Sequence, residues 1–315
     1  PSGTNSDYIG IDTHSFNASP GLVSATDLHS TSSNVNNVGT PLGTVLDDLD
    51  GDVRSLTTPD IGADEFTPPA APLAGTYVVG SGGDFATLTA AGSALVANGV
   101  SAPVTFQIKT GTYSETLALT AIAGVSTTNR VMFTSQSGVA SDVVVQAATL
   151  SSSGADSPIL LNGAQFVAFT NITLQSSSSA GSTGGGLVWL ASNSPNNSVS
   201  GCVMNTVGPS RAAVHTSPST TLDNFQLVNC QISLPLSGCY GVLLVSGGSA
   251  NNVVVQNNVI TCGASTNNFG VSVAPNNSGL QVVGNTITMA GGGTAINLRL
   301  ATSAVVRGNR ITGAF

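Results

Sequence analysis

Glu115 and Asp142 are the two carboxylates in this chain whose placement invites a catalytic reading. Each follows a Ser, each precedes an apolar run, they lie 27 residues apart, and Arg130 falls between them. Paired carboxylates are what glycoside hydrolysis requires, at a separation of roughly 5–9.5 Å. From Val104 onward the only other acids are Asp156 and Asp223. A turn acid opening each of two repeats explains Glu115 and Asp142 equally well, and the expectation is a chain that is not an enzyme. A second group, Asp47, Asp48, Asp50 and Asp52, is dense enough to attract a hard cation, because crowded carboxylates repel one another. Asp48, Asp50 and Asp52 are the candidate Ca²⁺ ligands. The EF-hand pattern fails, since counting from Asp48 puts Val53 at its Gly position and Pro59 at its twelfth. The alternative is a solvated Asp-Gly turn capped by Arg54, with no cofactor at all. His14, His29 and His215 stand apart from any metal-ligand or triad spacing and read as surface residues. Arg299, Arg307 and Arg310 read as outward, solubilising charges.

The four cysteines allow three pairings. Cys202 and Cys230 fall on adjacent repeats, at a strand spacing of about 4.8 Å that a disulfide can span. Either that bridge or a reduced core stack fits.

The elements that would position these groups are set by a repeat. Phe225-Gln-Leu-Val-Asn-Cys-Gln-Ile, Val253-Val-Val-Gln-Asn-Asn-Val-Ile, Leu280-Gln-Val-Val-Gly-Asn-Thr-Ile and Ala304-Val-Val-Arg-Gly-Asn-Arg-Ile are one phrase written four times. Asn229, Asn257, Gly284 and Gly308 share one place in it, 28, 27 and 24 residues apart; Asn171 and Gly201 extend the series backward. Only Gly and Asn occur there, the two types that accept a left-handed backbone at low cost. Period-2 apolar flanks about a coil apart are the signature of a β-solenoid. The residue after the turn should point inward, giving a ladder of Cys202, Cys230, Asn258, Asn285 and Asn309 below which Ile172 sits. Stacked amides can satisfy one another and the turn backbone. The expected fold is all-β, a right-handed parallel β-helix, with one amphipathic helix at about residues 86–97 covering its apolar end. Asp84 or Thr87 would cap that helix and Asn98-Gly99 would end it.

Charge is unevenly placed. Residues 1–66 carry ten acids against Arg54 alone, and the remainder carries five acids and six bases. Only 7% of residues are charged, and the net charge is −8, which argues against nucleic acid as a partner. No apolar run reaches the ~18 residues of a membrane span. Thr67-Pro-Pro-Ala-Ala-Pro-Leu-Ala-Gly75 reads as a Pro/Ala linker. The expected organisation is the C-terminal end of a preceding β-helix domain with an acidic closing motif at 1–66, the linker at 67–75, and a second β-helix at 76–315 that stops within a coil. The chain reads as a portion of a longer one.

Two stretches carry resemblances. Leu22-Val-Ser-Ala-Thr-Asp-Leu-His29, Asp47-Asp-Leu-Asp-Gly-Asp-Val-Arg54 and Pro59-Asp-Ile-Gly-Ala-Asp-Glu-Phe66 resemble the closing segment of β-helix domains in very large surface proteins that gliding bacteria export by the type IX route. The opening of the second domain, Thr76 to Leu117, resembles the first turn of parallel β-helix proteins that include pectin methylesterases, although the Gln/Asp/Arg series of that enzyme does not follow. The first resemblance implies a secreted, extracellular or cell-surface protein. The expected function is a non-catalytic structural or adhesive rod, with neighbouring domains, copies of itself, polysaccharide or surface glycans as partners. Asn17, Asn171, Asn196 and Asn276 lie in glycosylation sequons. The alternatives are a polysaccharide lyase or hydrolase, and a self-assembling extracellular filament.

Overall fold

The computed structural model describes residues 19–68, 70–147, 157–176, 185–206, 212–218, 220–245, 248–274, 276–299 and 301–313. His14, Asn17 and Asp156 lie outside them. The chain divides into two units, Pro1–Ala71 and Pro72–Phe315.

The second unit is a parallel β-solenoid of about eight turns. Its strands fall into three long parallel sheets of nine, seven and eight strands. One coil is Gly186–Ala191, Ser198–Ser200 and Val203–Asn205; the next is Ala212–Thr216, Gln226–Val228 and Gln231–Leu234. We call the three columns the entry, middle and exit sheets, in the order a coil visits them. Register keeps like on like: Leu227, Val255 and Val282 stack in the middle sheet, and Ile232, Ile260 and Ile287 in the exit sheet. All six are buried. The period-2 pattern turns these residues inward, and each coil is stabilised by burying them against the coils above and below.

The first strand, Leu73–Val79, begins inside the stretch expected to be linker and pairs with Val100–Ile108. The helix runs Leu88–Asn98. The Thr87 hydroxyl accepts from the Ala90 amide, and Gly99, at φ +66°, donates to Leu95 O. Leu88, Ala91 and Leu95 are buried, closing the end of the core as the amphipathic pattern predicts. Beneath the helix, Phe106, Phe133 and Phe169 stack at 4.6 and 5.5 Å.

The turns between middle and exit sheets carry the repeat. Asn171, Gly201, Asn229, Asn257, Gly284 and Gly308 all have φ between +51° and +65°. After them the ladder runs inward. The Cys230 amide donates to Asn258 Oδ1 (2.9 Å), the Asn258 amide to Asn285 Oδ1 (2.9 Å), and the Asn285 amide to Asn309 Oδ1 (3.0 Å). Each Nδ2 donates to a carbonyl of the coil below: Leu227 O, Val255 O and Val282 O. Cys202 and Cys230 continue the column as free thiols, so the possible disulfide between them is not formed. The reason is local. Their sulfurs already lie against Phe169 O and Val199 O, taking the place the Asn amides fill higher up. The neighbouring Cys230 thiol and burial together hold the Cys202 thiol well above its ordinary value.

The first unit is irregular across its described residues. Leu22 bridges Ser30 and Asp47 bridges Val53, both antiparallel. Acidic side chains substitute for a sheet. Asp60 accepts from the Asn37 and Phe66 amides, Glu65 from those of Ser55 and Asp60, and Asp64 from that of Ser30. Arg54 donates to Gly62 O and Asp60 O and pairs with Glu65 at 3.6 Å. The closing motif is thus a lock in which carboxylates hold backbone amides.

Candidate functional site

Two columns of the entry sheet face outward three residues apart, because consecutive buried residues such as Gly241 and Val242 interrupt the alternation between them. Trp189, His215, Leu243, Ser272 and Asn297 occupy one register column on successive strands. Ala212, Tyr240, Phe269 and Thr294 occupy another. In the first column the Trp189 and His215 rings stack at 4.3 Å and 15°; in the second the Tyr240 and Phe269 rings stack at 5.0 Å and 3°. Trp189, Tyr240 and Phe269 are only part-buried. Between the columns lies a shallow groove of about 350 Å³ lined by Ala212, His215, Tyr240, Leu243, Asn267 and Phe269.

Small residues make room for this face. Gly241 and Gly270 follow the two rings, and a Cβ on them would meet the Gly270 carbonyl at 2.4 Å and the Ala295 carbonyl at 2.5 Å. The Trp189 indole N–H is fixed by Ser217 Oγ at 2.8 Å. His215 is 8% exposed, and its Nδ1 is buried without a hydrogen-bond partner. Burial pushes its pKa down to about 4, so the imidazole is neutral at pH 7. No lining residue carries a charge at that pH. A part-buried aromatic surface beside Asn and neutral His offers apolar and uncharged hydrogen-bonding contacts together. Sequence reading missed it. His215 was expected at the surface, and the ring pairs are visible in sequence only as Tyr240 and Phe269, one coil apart.

The sequence-predicted carboxylate pair is not assembled. Gly111 pairs with Val143, which puts Asp142 one residue before that rung and Glu115 four residues beyond it. Five residues along adjacent strands is roughly 16 Å at ~3.3 Å each, too far for the paired chemistry. Each carboxylate has a structural task. Glu115 accepts from the Leu88 and Thr89 amides and the Thr89 hydroxyl, holding the helix N-terminus. Asp142 accepts from Ser137 Oγ at 2.7 Å. Arg130 donates to Asn196 O and lies over the Phe166 ring.

The calcium set also comes apart. Asp48 Oδ1 accepts from the Asp50 and Asp52 amides, and Oδ2 from that of Glu65, which with its other turn amides keeps the carboxyl below its ordinary range. Asp50 turns instead to His29 Nε2, at 2.5 Å, while Asp27 takes His29 Nδ1. These carboxylates raise the His29 pKa to about 9. Among the described residues, the acids and imidazole that converge are His29, Asp50 and Asp64, not Asp48, Asp50 and Asp52. A hollow of about 510 Å³ at residues 39–62 is lined by Gly and Pro, by the aliphatic side chains of Leu42, Val45, Leu56 and Ile61, and by Arg54 and Asp60. Its Arg54 is already committed to carbonyls.

No protein-family model and no curated protein matches the sequence. Among solved structures, that of the pectin methylesterase from Aspergillus niger in deglycosylated form is similar, with a TM-score of 0.48 and 12% identity over 78% of this chain and 88% of that one. At this identity the likeness concerns the fold alone. The neighbour is an enzyme, and the expectation that this chain is not one is withdrawn.

Proposed function

We propose that this chain is a polysaccharide-active β-helix of a secreted surface protein, and that it takes an uncharged glycan along the outer face of its entry sheet. The observation that carries this reading is the pair of outward ring stacks, Trp189–His215 and Tyr240–Phe269, flanking one groove without charge. Sugar rings offer apolar C–H faces and polar edges, matching the exposed ring edges and the free outer faces of the two stacks beside Asn267 and a neutral imidazole. The stacks run across successive coils, so a linear chain would meet several contacts at once. Secretion fits this reading, because such polymers lie outside cells, and the closing-motif resemblance at residues 20–66 supports it. Export and attachment at a surface belong to the same proposal.

The test is retention and turnover on a panel of neutral glucan, mannan and xylan against polygalacturonate. The neutral polymers should retain the protein more strongly. Tyr240→Ala should weaken retention about tenfold or more, the size expected for an aromatic anchor, with the fold intact by circular dichroism. Release of reducing ends or unsaturated products would place chemistry on the same face. Indifference to the whole panel, or undiminished retention by Tyr240→Ala, would sink the reading.

A further inference from the structure

His29, Asp50 and Asp64 come from separate segments of the first unit, yet each offers a ligand atom within 4.8 Å of the others. Three features distinguish this from a chance meeting of acids. The set contains an imidazole, which hard-cation sites seldom use and first-row transition ions favour. The ring is oriented, because Asp27 occupies Nδ1 and thereby leaves Nε2 facing Asp50 and Asp64. A carboxylate on the far nitrogen is the usual support of a metal-bound histidine. Asp64 is itself anchored, 7% exposed with Oδ2 held by the Ser30 amide.

We propose that His29 Nε2, Asp50 and Asp64 bind a divalent first-row transition ion of the zinc type, with Asp27 holding the ring from behind. One nitrogen and two carboxylate oxygens leave room for water in the fourth position. The ion takes the place of the proton shared between Nε2 and Asp50, and that proton leaves to solvent. Binding ties three distant segments of an irregular unit whose described residues form no extended sheet. The ion therefore acts as a clip, stabilising the folded form by its affinity for it.

Zn²⁺ titration of the full chain at pH 7.5, by calorimetry in two buffers of different ionisation enthalpy, tests this. The expected result is one ion per chain with proton release. Co²⁺ should give visible bands whose energies report a nitrogen ligand. His29→Gln and Asp50→Asn, both at exposed positions, should each weaken binding at least tenfold. Asp27→Asn should weaken it less, and Asp52→Asn should leave it unchanged. No stoichiometric uptake would mean that the cluster is an ion pair only and would overturn the proposal. So would Zn²⁺ uptake unaffected by His29→Gln, or Ca²⁺ bound as tightly as Zn²⁺. None of these outcomes depends on the polysaccharide reading.

Discussion

Asn258→Ala tests the ladder inside the core. Asn258 is 1% exposed, and its side chain makes three hydrogen bonds. It accepts from the Cys230 amide at 2.9 Å and donates to Leu227 O at 2.9 Å and Asn285 Oδ1 at 3.0 Å. Alanine leaves the Cys230 N–H without a partner in the core, while Leu227 O stays within the parallel ladder and Asn285 Oδ1 keeps the Asn258 amide. A buried unsatisfied group costs about 1–3 kcal/mol. One such group, with the small void left by the amide, predicts a loss of about 2–4 kcal/mol. Because solenoid stability is passed between neighbours, the loss should be local. Amide exchange at Cys230, Asn258 and Ile260 should accelerate, while exchange around Phe106 and Phe133 stays at the wild-type rate. Urea unfolding supplies the total. Asn258→Cys should cost less, since sulfur holds the same rung at Cys230. A loss below about 1 kcal/mol, or unchanged exchange at the Cys230 amide, would refute the assignment of these hydrogen bonds as structural.

Gly241→Ala should destabilise the solenoid by about 1–3 kcal/mol, because its Cβ would press on the Gly270 carbonyl at 2.4 Å; Gly308→Asn should be near neutral, since the nearest atoms lie 3.8 Å away and Asn accepts the left-handed backbone, and equal urea midpoints for the two variants would count against this account. Burial lowers the His215 pKa from its ordinary 6.5 to about 4, so the folded form favours the neutral ring. Its contribution is full above pH 6.5 and is lost as pH falls toward 4, by about 3 kcal/mol. The difference in stability between wild type and His215→Phe should therefore shrink or reverse over that window, and parallel pH profiles would contradict it.

The turn column was legible because its constraint acts on residue type. A left-handed backbone excludes nearly everything except Gly and Asn, and a fixed coil length repeats the demand. A second column with the same backbone went unread: Asn196, Asn224, Asn252, Gly279 and Ser303, with φ from +54° to +69°. Its spacings equal those of Asn/Gly at 229–308 from one coil to the next, and Asn224 and Asn252 pass a hydrogen bond down it. Ser303 breaks the type rule, and the Ser- and Asn-rich loops around it hide the pattern. The carboxylate pair failed for a different reason. Sequence spacing of one coil was read as stacking, but loops of unequal length moved Glu115 and Asp142 to opposite ends of their strands. The His29 cluster had no period to betray it, because its members are joined by irregular chain.

The same physics separates what holds this molecule together from what it presents. Inward positions are tied to their neighbours by register, so Ile, Val, Cys and Asn recur there with little freedom. Outward positions on the entry sheet carry no stacking demand strong enough to require an aromatic ring, and leaving Trp189, Tyr240 and Phe269 part-exposed forgoes some of the ~1.5–3 kcal/mol that full burial of a large apolar side chain yields. Inward aromatics occur where the core needs them, at Phe106, Phe133 and Phe169 near the capping helix. Farther along, Phe225 still points inward, but Trp189, Tyr240 and Phe269 lie on the outer face of a single sheet, where the inward places beside them hold Val214, Val242 and Val271. That redistribution is not explained by stability, and it falls where a groove free of charge opens. In a chain with 7% charged and 5% aromatic residues, amides and hydroxyls are what the composition supplies in quantity, and the few rings that face outward are placed together beside them.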